Sequence, residues 1–221
     1  MNRCVIALFS RAPEVGKAKT RLAQTHGDDF AFDLATAMLA DTLALCASIK
    51  VTTHLFLTPD EFDGQQLWSG VTNAQGGGDL WARLLRADAH LRAQGFERVV
   101  FIGSDSPDLP SHLLEAAFAS LESLPLVVGP SLDGGFYLLG SARHLPAYLF
   151  EGVPISARDT LSHLTENLHS LSHDHDLAFR TLSAWRDVDD EADLKLFIER
   201  LGEAPNAAPR CRVVLSRYGI L

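Results

Sequence analysis

The sequence predicts an α/β fold, a single domain with a mainly parallel, mixed sheet and helices on both faces. Two observations carry this. Short segments rich in Val, Ile, Leu and Phe alternate with longer segments of helical period, the pattern of strands joined by crossover helices. Further along, the apolar runs 126–129 and 136–140 are separated by a turn containing Gly134 and Gly135, which fits a hairpin and hence an antiparallel member of the sheet. The 221 residues suit one domain with a substantial core, and residues 1–221 are read as one unit.

Taken in order, residues 4–10 form the first strand and 11–24 a loop. A helix over 29–48 follows, with Leu34, Ala35, Met38, Leu39, Leu43 and Cys46 on one stripe. Residues 51–57 read as a strand ended by Thr58-Pro59-Asp60, while 61–73 carries no clear period. The glycine-rich segment 75–79 leads into a helix over 80–93, and 98–102 is a strand apolar enough to be buried on both faces. A helix over 112–121 and the hairpin come next. They are followed by a helix over 160–171, a strand over 178–182, a helix over 191–201 and a linker, 202–209, to the apolar end 213–215.

Composition narrows the function classes. Hydrophobic residues make up 47% and charged residues 21%, the balance of a folded globular protein, and the formal net charge of −9 gives no general attraction to nucleic acid or an anionic membrane. No apolar run approaches the roughly 20 residues of a membrane span, and the start lacks a signal-peptide pattern, so a cytoplasmic protein is expected. Cys4, Cys46 and Cys211 are odd in number and far apart, which fits small core residues better than a metal or redox site. Nothing in the sequence indicates an oligomer.

Against this acidic background, residues 11–21 concentrate Arg11, Lys17, Lys19 and Arg21 directly after the first strand. Gly16 would let backbone amides approach a phosphate, the two lysines act as point charges, and Arg21 can bind phosphate oxygens bidentately. The Walker spacing is absent. At the end of the buried strand 98–102 stands Gly103-Ser104-Asp105-Ser106-Pro107-Asp108, where Asp105 can hold Mg²⁺ or Mn²⁺, and Asp108 is adequately explained as a turn and helix-capping residue. In Asp187-Val188-Asp189-Asp190-Glu191 the last two acids suit a helix start, whereas Asp187 and Asp189 alternate and so share one face of an extended segment, placed to assist a cation. Asp133, beside Gly134 and Gly135, is either a hairpin turn residue or a general base toward an acceptor hydroxyl.

These four segments, in the chain order 16–22, 103–109, 129–137 and 187–189, resemble a bacterial glycosyltransferase-like family of the nucleotide-diphospho-sugar transferase (GT-A) superfamily, similar to the 2-phospho-lactate guanylyltransferases. The resemblance runs from Phe9 to Leu194. It implies a nucleotide-binding transferase domain in which Arg11, Gly16, Lys17, Lys19 and Arg21 face phosphates. By the same likeness the segment containing Gly77 and Asp79 lies near base and ribose, and Asp105 holds the metal with Asp187 or Asp189. Two positions depart from the family pattern: Trp81 stands where a small residue is usual, on the expected base side, and Pro154-Ile155-Ser156-Ala157 replaces a Trp-Ser-Thr segment on the acceptor side. The implied partners are a nucleotide or nucleotide-sugar donor and a small acceptor, with no nucleic acid and no membrane. Glycosyl transfer is the first expectation, nucleotidyl transfer to a phosphorylated acceptor the second, and nucleotide binding without catalysis the third.

Overall fold

Strand-forming residues alternate between two apolar faces throughout the centre of the chain, and this alternation builds the sheet. The computed structural model describes residues 3–155, 157–174 and 178–221. Seven strands lie in the order β3-β2-β1-β4-β6-β5-β7, with β1 Cys4–Arg11, β2 Thr52–Thr58, β3 Val71–Ala74, β4 Arg98–Gly103, β5 Leu126–Pro130, β6 Phe136–Ser141 and β7 Phe179–Thr181. All neighbours pair in parallel except β6, which runs antiparallel to both β4 and β5, as the hairpin reading requires.

In β1, Val5 and Ala7 point into one core and Ile6 and Leu8 into the other, and all four are fully buried. The first core is closed by α3 (Leu80–Ala93) and α5 (Thr160–Asp174), the second by α2 (Asp28–Ser48) and α4 (Ser111–Ser120). A third core lies outside the sheet. There α2 packs its far side, through Phe30, Leu34 and Met38, against α1 (Thr20–His26), α6 (Glu191–Glu203) and α7 (Pro209–Arg217). Being covered on two sides explains why α2 is apolar nearly all round. Its 21 residues are long and apolar enough to cross a membrane by length and composition, which corrects the expectation that no segment approaches that length. Its buried residues here face the sheet and the outer helices.

Three elements differ from the sequence reading. Residues 11–24 are not all loop, because α1 begins at Thr20 after Lys19 in the left-handed region (φ 41). The segment without clear period contains the short edge strand β3. The supposed linker ends in α7, which starts with Pro209 at a helical first turn and buries Cys211, Val214 and Leu215 against α2. All three cysteines are buried and free.

Candidate active site

Because β1 connects to β2 on one side while β4 lies on its other side, the order reverses at the β1/β4 boundary. The carboxyl ends of two such strands diverge into a crevice, the usual ligand position in open α/β sheets. Phe9 lies beside Gly103 in register, and just beyond them the Ser10 hydroxyl meets the Ser104 hydroxyl at 2.9 Å. A cleft of about 1200 Å³ opens over this point. Its walls include Arg11, Lys17, Lys19, Arg21, Asp105, Asp133, Asp187 and Asp189, so eight of the residues singled out in the sequence meet in one place.

The segment after β1 is held by Ala12 N–H donating to the Thr58 carbonyl (2.8 Å), and it then closes into a turn. The amides of Lys17 and Ala18 both donate to the Glu14 carbonyl at 3.1 Å, and Gly16 adopts φ 77, which only glycine takes without strain. Those two amides are therefore engaged within the turn. Lys17 forms an exposed pair with Glu14 (2.8 Å), of small energetic weight. Arg11 and Arg21 are exposed at the rim.

Lys19 is different. Its ammonium is 2.5 Å from Asp105 Oδ1 and 2.7 Å from Asp189 Oδ1, and its side chain is only 10% exposed against 48% and 45% for the two carboxylates. Burial by itself would lower its pKa, but the two carboxylates outweigh that and raise it to about 12. Lys19, expected at the phosphates, is thus turned to the acids.

The acidic wall is assembled by one backbone bond, Val188 N–H to the Asp105 carbonyl at 2.8 Å. Val188 is fully buried in the outer core, so Asp187 and Asp189 on either side of it face the cleft, as their alternation predicts. Asp187 accepts from the Ser106 hydroxyl (2.6 Å) and the Ser131 hydroxyl (3.3 Å). Its pKa is raised to about 6, chiefly by burial and further by the negative charges of Asp105, Asp133 and Asp189, with the Ser106 bond pulling the other way. Asp133 accepts the Gly135 amide at 2.9 Å, so it is a turn residue whose carboxylate also borders the cleft.

As placed, no three acidic, His or Cys side chains among the described residues form a ready metal cluster. The donor chemistry nonetheless fits a hard divalent cation. Asp105 and Asp189 already converge on one cationic atom, the Lys19 nitrogen, and Asp187 adds further carboxylate oxygens nearby.

The glycine-rich segment is organised by residues the sequence reading passed over. Arg86 donates to the carbonyls of Gln75 (2.7 Å) and Gly77 (2.9 Å), Arg83 donates to the Gly78 carbonyl (2.9 Å), and Asp60 accepts the Gly76 amide (2.9 Å). Gln75 is buried and donates to the carbonyls of Ser10 and Phe56, which sews this segment to the ends of β1 and β2. Gly16, Gly77 and Asp79 are not among the cleft's lining residues, and the Asp79 carboxylate caps α3 by accepting the Ala82 amide (2.9 Å). Helical spacing from the cap, which puts Arg83 and Arg86 one and two turns in, was the signal available for the two arginines.

Four other expectations find a structural answer. Trp81 does not narrow the cleft. It is buried beneath it, stacked on Phe150 at 4.7 Å and 9°, with its indole N–H on the Val153 carbonyl (2.9 Å). Of the acceptor-side segment, Ile155 and Ala157 line the cleft and Ser156 lies outside the described residues. Asp108 does not cap α4, whose N-cap is Pro110. It is paired with Arg200 through both oxygens (2.5 and 3.1 Å), and the Arg200 guanidinium lies over the Trp185 ring. Asp190 does cap its helix, in a capping box with Asp193.

The family model described as "Uncharacterized protein conserved in bacteria (DUF2064)" matches residues 42–157, more than half of the chain. Among solved structures, a candidate nucleotide-diphospho-sugar transferase from Desulfovibrio desulfuricans G20 is 28% identical over 99% of both chains, with a TM-score of 0.87. A 4-diphosphocytidyl-2C-methyl-D-erythritol synthase from Anaerococcus prevotii DSM 20548 is 13% identical, with a TM-score of 0.58, over 90% of this chain and 97% of its own. A cytidylyltransferase from Leptospira borgpetersenii serovar Hardjo-bovis is also 13% identical, with a TM-score of 0.56, over 98% of this chain and 95% of its own. No curated protein matches. The fold is of the nucleotide-diphospho-sugar transferase type.

Proposed function

The chain belongs to the bacterial DUF2064 family, and on that premise we propose that it is a metal-dependent transferase that moves a glycosyl group from a nucleotide sugar to a small acceptor. The observation that carries this reading is the meeting of the Arg11, Lys17 and Arg21 cations with the Asp105, Asp187 and Asp189 carboxylates across one cleft at the β1/β4 switch point. A diphosphate bridged to a divalent cation is the ligand that satisfies both signs of charge there. The 28% identity to the D. desulfuricans protein over its whole length supports the glycosyl form.

In this reading Arg11, Lys17 and Arg21 neutralise the diphosphate, and the glycine-rich segment lies toward base and ribose through Gln75, its residue on the cleft wall. Asp105 and Asp189, helped by Asp187, would hold Mg²⁺ or Mn²⁺, which when bound stabilises negative charge on the departing diphosphate. Asp133 takes the proton from the acceptor hydroxyl as its oxygen bonds the anomeric carbon and the bond to the nucleoside diphosphate breaks.

One observation favours a second reading, nucleotidyl transfer from a triphosphate. Arg83 and Arg158 also line the cleft, cations beyond Arg11, Lys17 and Arg21 that a longer phosphate chain would use. Incubating the protein and Mg²⁺ with nucleotide sugars, triphosphates and an acceptor panel separates the two. Nucleoside diphosphate release supports glycosyl transfer, and acceptor-dependent pyrophosphate release overturns it. Thermal stabilisation by nucleotides without turnover under any acceptor would leave a binding protein.

A further inference from the structure

The carboxylates assigned to the metal are already bridged by a cation of the protein itself. Asp105 and Asp189 each direct Oδ1 to the Lys19 ammonium, at 2.5 and 2.7 Å, and among the described residues that oxygen meets no other donor. The Val188–Asp105 backbone bond brings these two acids together from segments 84 residues apart, and Lys19 offsets the repulsion their like charges would then feel. A dication on the same oxygens would sit within a few ångströms of that ammonium, and two unscreened cations do not share such a position. The lysine has somewhere to go. Its stem is flexible, Lys19 itself borders the cleft, and the carboxylates are about half exposed toward it.

We propose that Lys19 is a positioning residue that stands in for the divalent cation, holding Asp105 and Asp189 in place until the cation binds there and expels the ammonium into the cleft. This rests on the metal-dependent reading above. Released, Lys19 adds a positive charge to the cleft at the moment the metal arrives. Metal and polyphosphate then bind with positive coupling, each favouring the arrangement the other uses. The arrangement also accounts for two facts together: the absence of a ready three-ligand cluster among the described residues, and a lysine of the basic segment that is paired with two carboxylates while Arg21 stays exposed at the rim.

The test uses the full chain without nucleotide. Mn²⁺ binding is followed by the loss of the free-ion electron paramagnetic resonance signal in wild type and in Lys19→Met. Removing the competing ammonium should tighten Mn²⁺ binding by at least about tenfold, because the metal-competent arrangement no longer has to be freed. In the wild-type protein alone, acylation of Lys19 by an amine-reactive ester, read by mass spectrometry, should rise severalfold on Mn²⁺ addition. That measurement decides the matter even if the variant does not fold. Equal or weaker Mn²⁺ binding by the variant, with Lys19 labelling unchanged when Mn²⁺ is bound, overturns the exchange and leaves the metal reading standing. Failure of both proteins to bind Mn²⁺ overturns both.

Discussion

Asp105 stands two residues past the end of β4, where a strand buried on both faces reaches the cleft, and its main chain and side chain have separate tasks. The carbonyl holds Val188 and with it the acidic segment, while the carboxylate faces Lys19. Asp105→Asn keeps the carbonyl and an acceptor oxygen but removes the charge. It should leave the circular dichroism spectrum unchanged and weaken Mn²⁺-dependent nucleotide binding by about 100-fold or more, given that even supporting residues of metal sites are worth 10–100-fold. Calorimetric titration showing unchanged nucleotide affinity would remove Asp105 from the metal site. At this scale the sequence was informative where chemistry depends on local spacing. Asp187 and Asp189 share a face because of strand periodicity, and Asp190 caps because it precedes a helix. It was uninformative where chemistry depends on partners far along the chain. Ser106 and Ser131 meet at Asp187, and Arg200 finds Asp108, only after the sheet has formed.

Elements with strong periodicity were legible almost to the residue: α3 spans Leu80–Ala93 as read, and β4, β5 and β6 each extend one residue beyond it. The misses share a cause, a weak or masked local signal. The helix α1 is short, begins after a left-handed Lys19 and has no side-chain cap, β3 is a four-residue edge strand with no fully buried position, and α7 follows a Pro- and Ala-rich stretch. Pro209 was a usable start signal for α7. The β5–β6 turn carries Asp133, the proposed base toward the acceptor. Gly134 has φ 98, and a Cβ there would lie 1.9 Å from the Arg158 carbonyl oxygen, so the turn is pressed directly onto the segment leading into α5. Gly134→Ala should therefore combine backbone strain with overpacking and cost on the order of 3 kcal/mol. Urea unfolding should show a midpoint well below that of wild type, whereas an unshifted midpoint would mean the two segments are not pressed together.

For the molecule as a whole, a ligand that bridges the β1 side and the 185–189 side of the cleft binds only the folded chain and must stabilise it. At a concentration about 100 times its Kd that contribution is about 2.7 kcal/mol. In a chain of this size it corresponds to a rise in melting temperature of roughly 5–11 °C. Differential scanning fluorimetry with Mg²⁺ and a nucleotide sugar should show it, and the absence of any shift with every nucleotide at saturating concentration would count against the cleft as a nucleotide site. The sheet also gives the molecule a polarity. Every parallel strand ends, and β6 begins, at the cleft edge, while the other edge is tied by backbone hydrogen bonds such as Glu97 N–H to the Arg3 carbonyl and Ala142 N–H to the Pro125 carbonyl. A surface handle fixed along that second edge would tether the protein with its binding face pointing into solution, ready for immobilised assays in which donors and acceptors are flowed past one oriented layer.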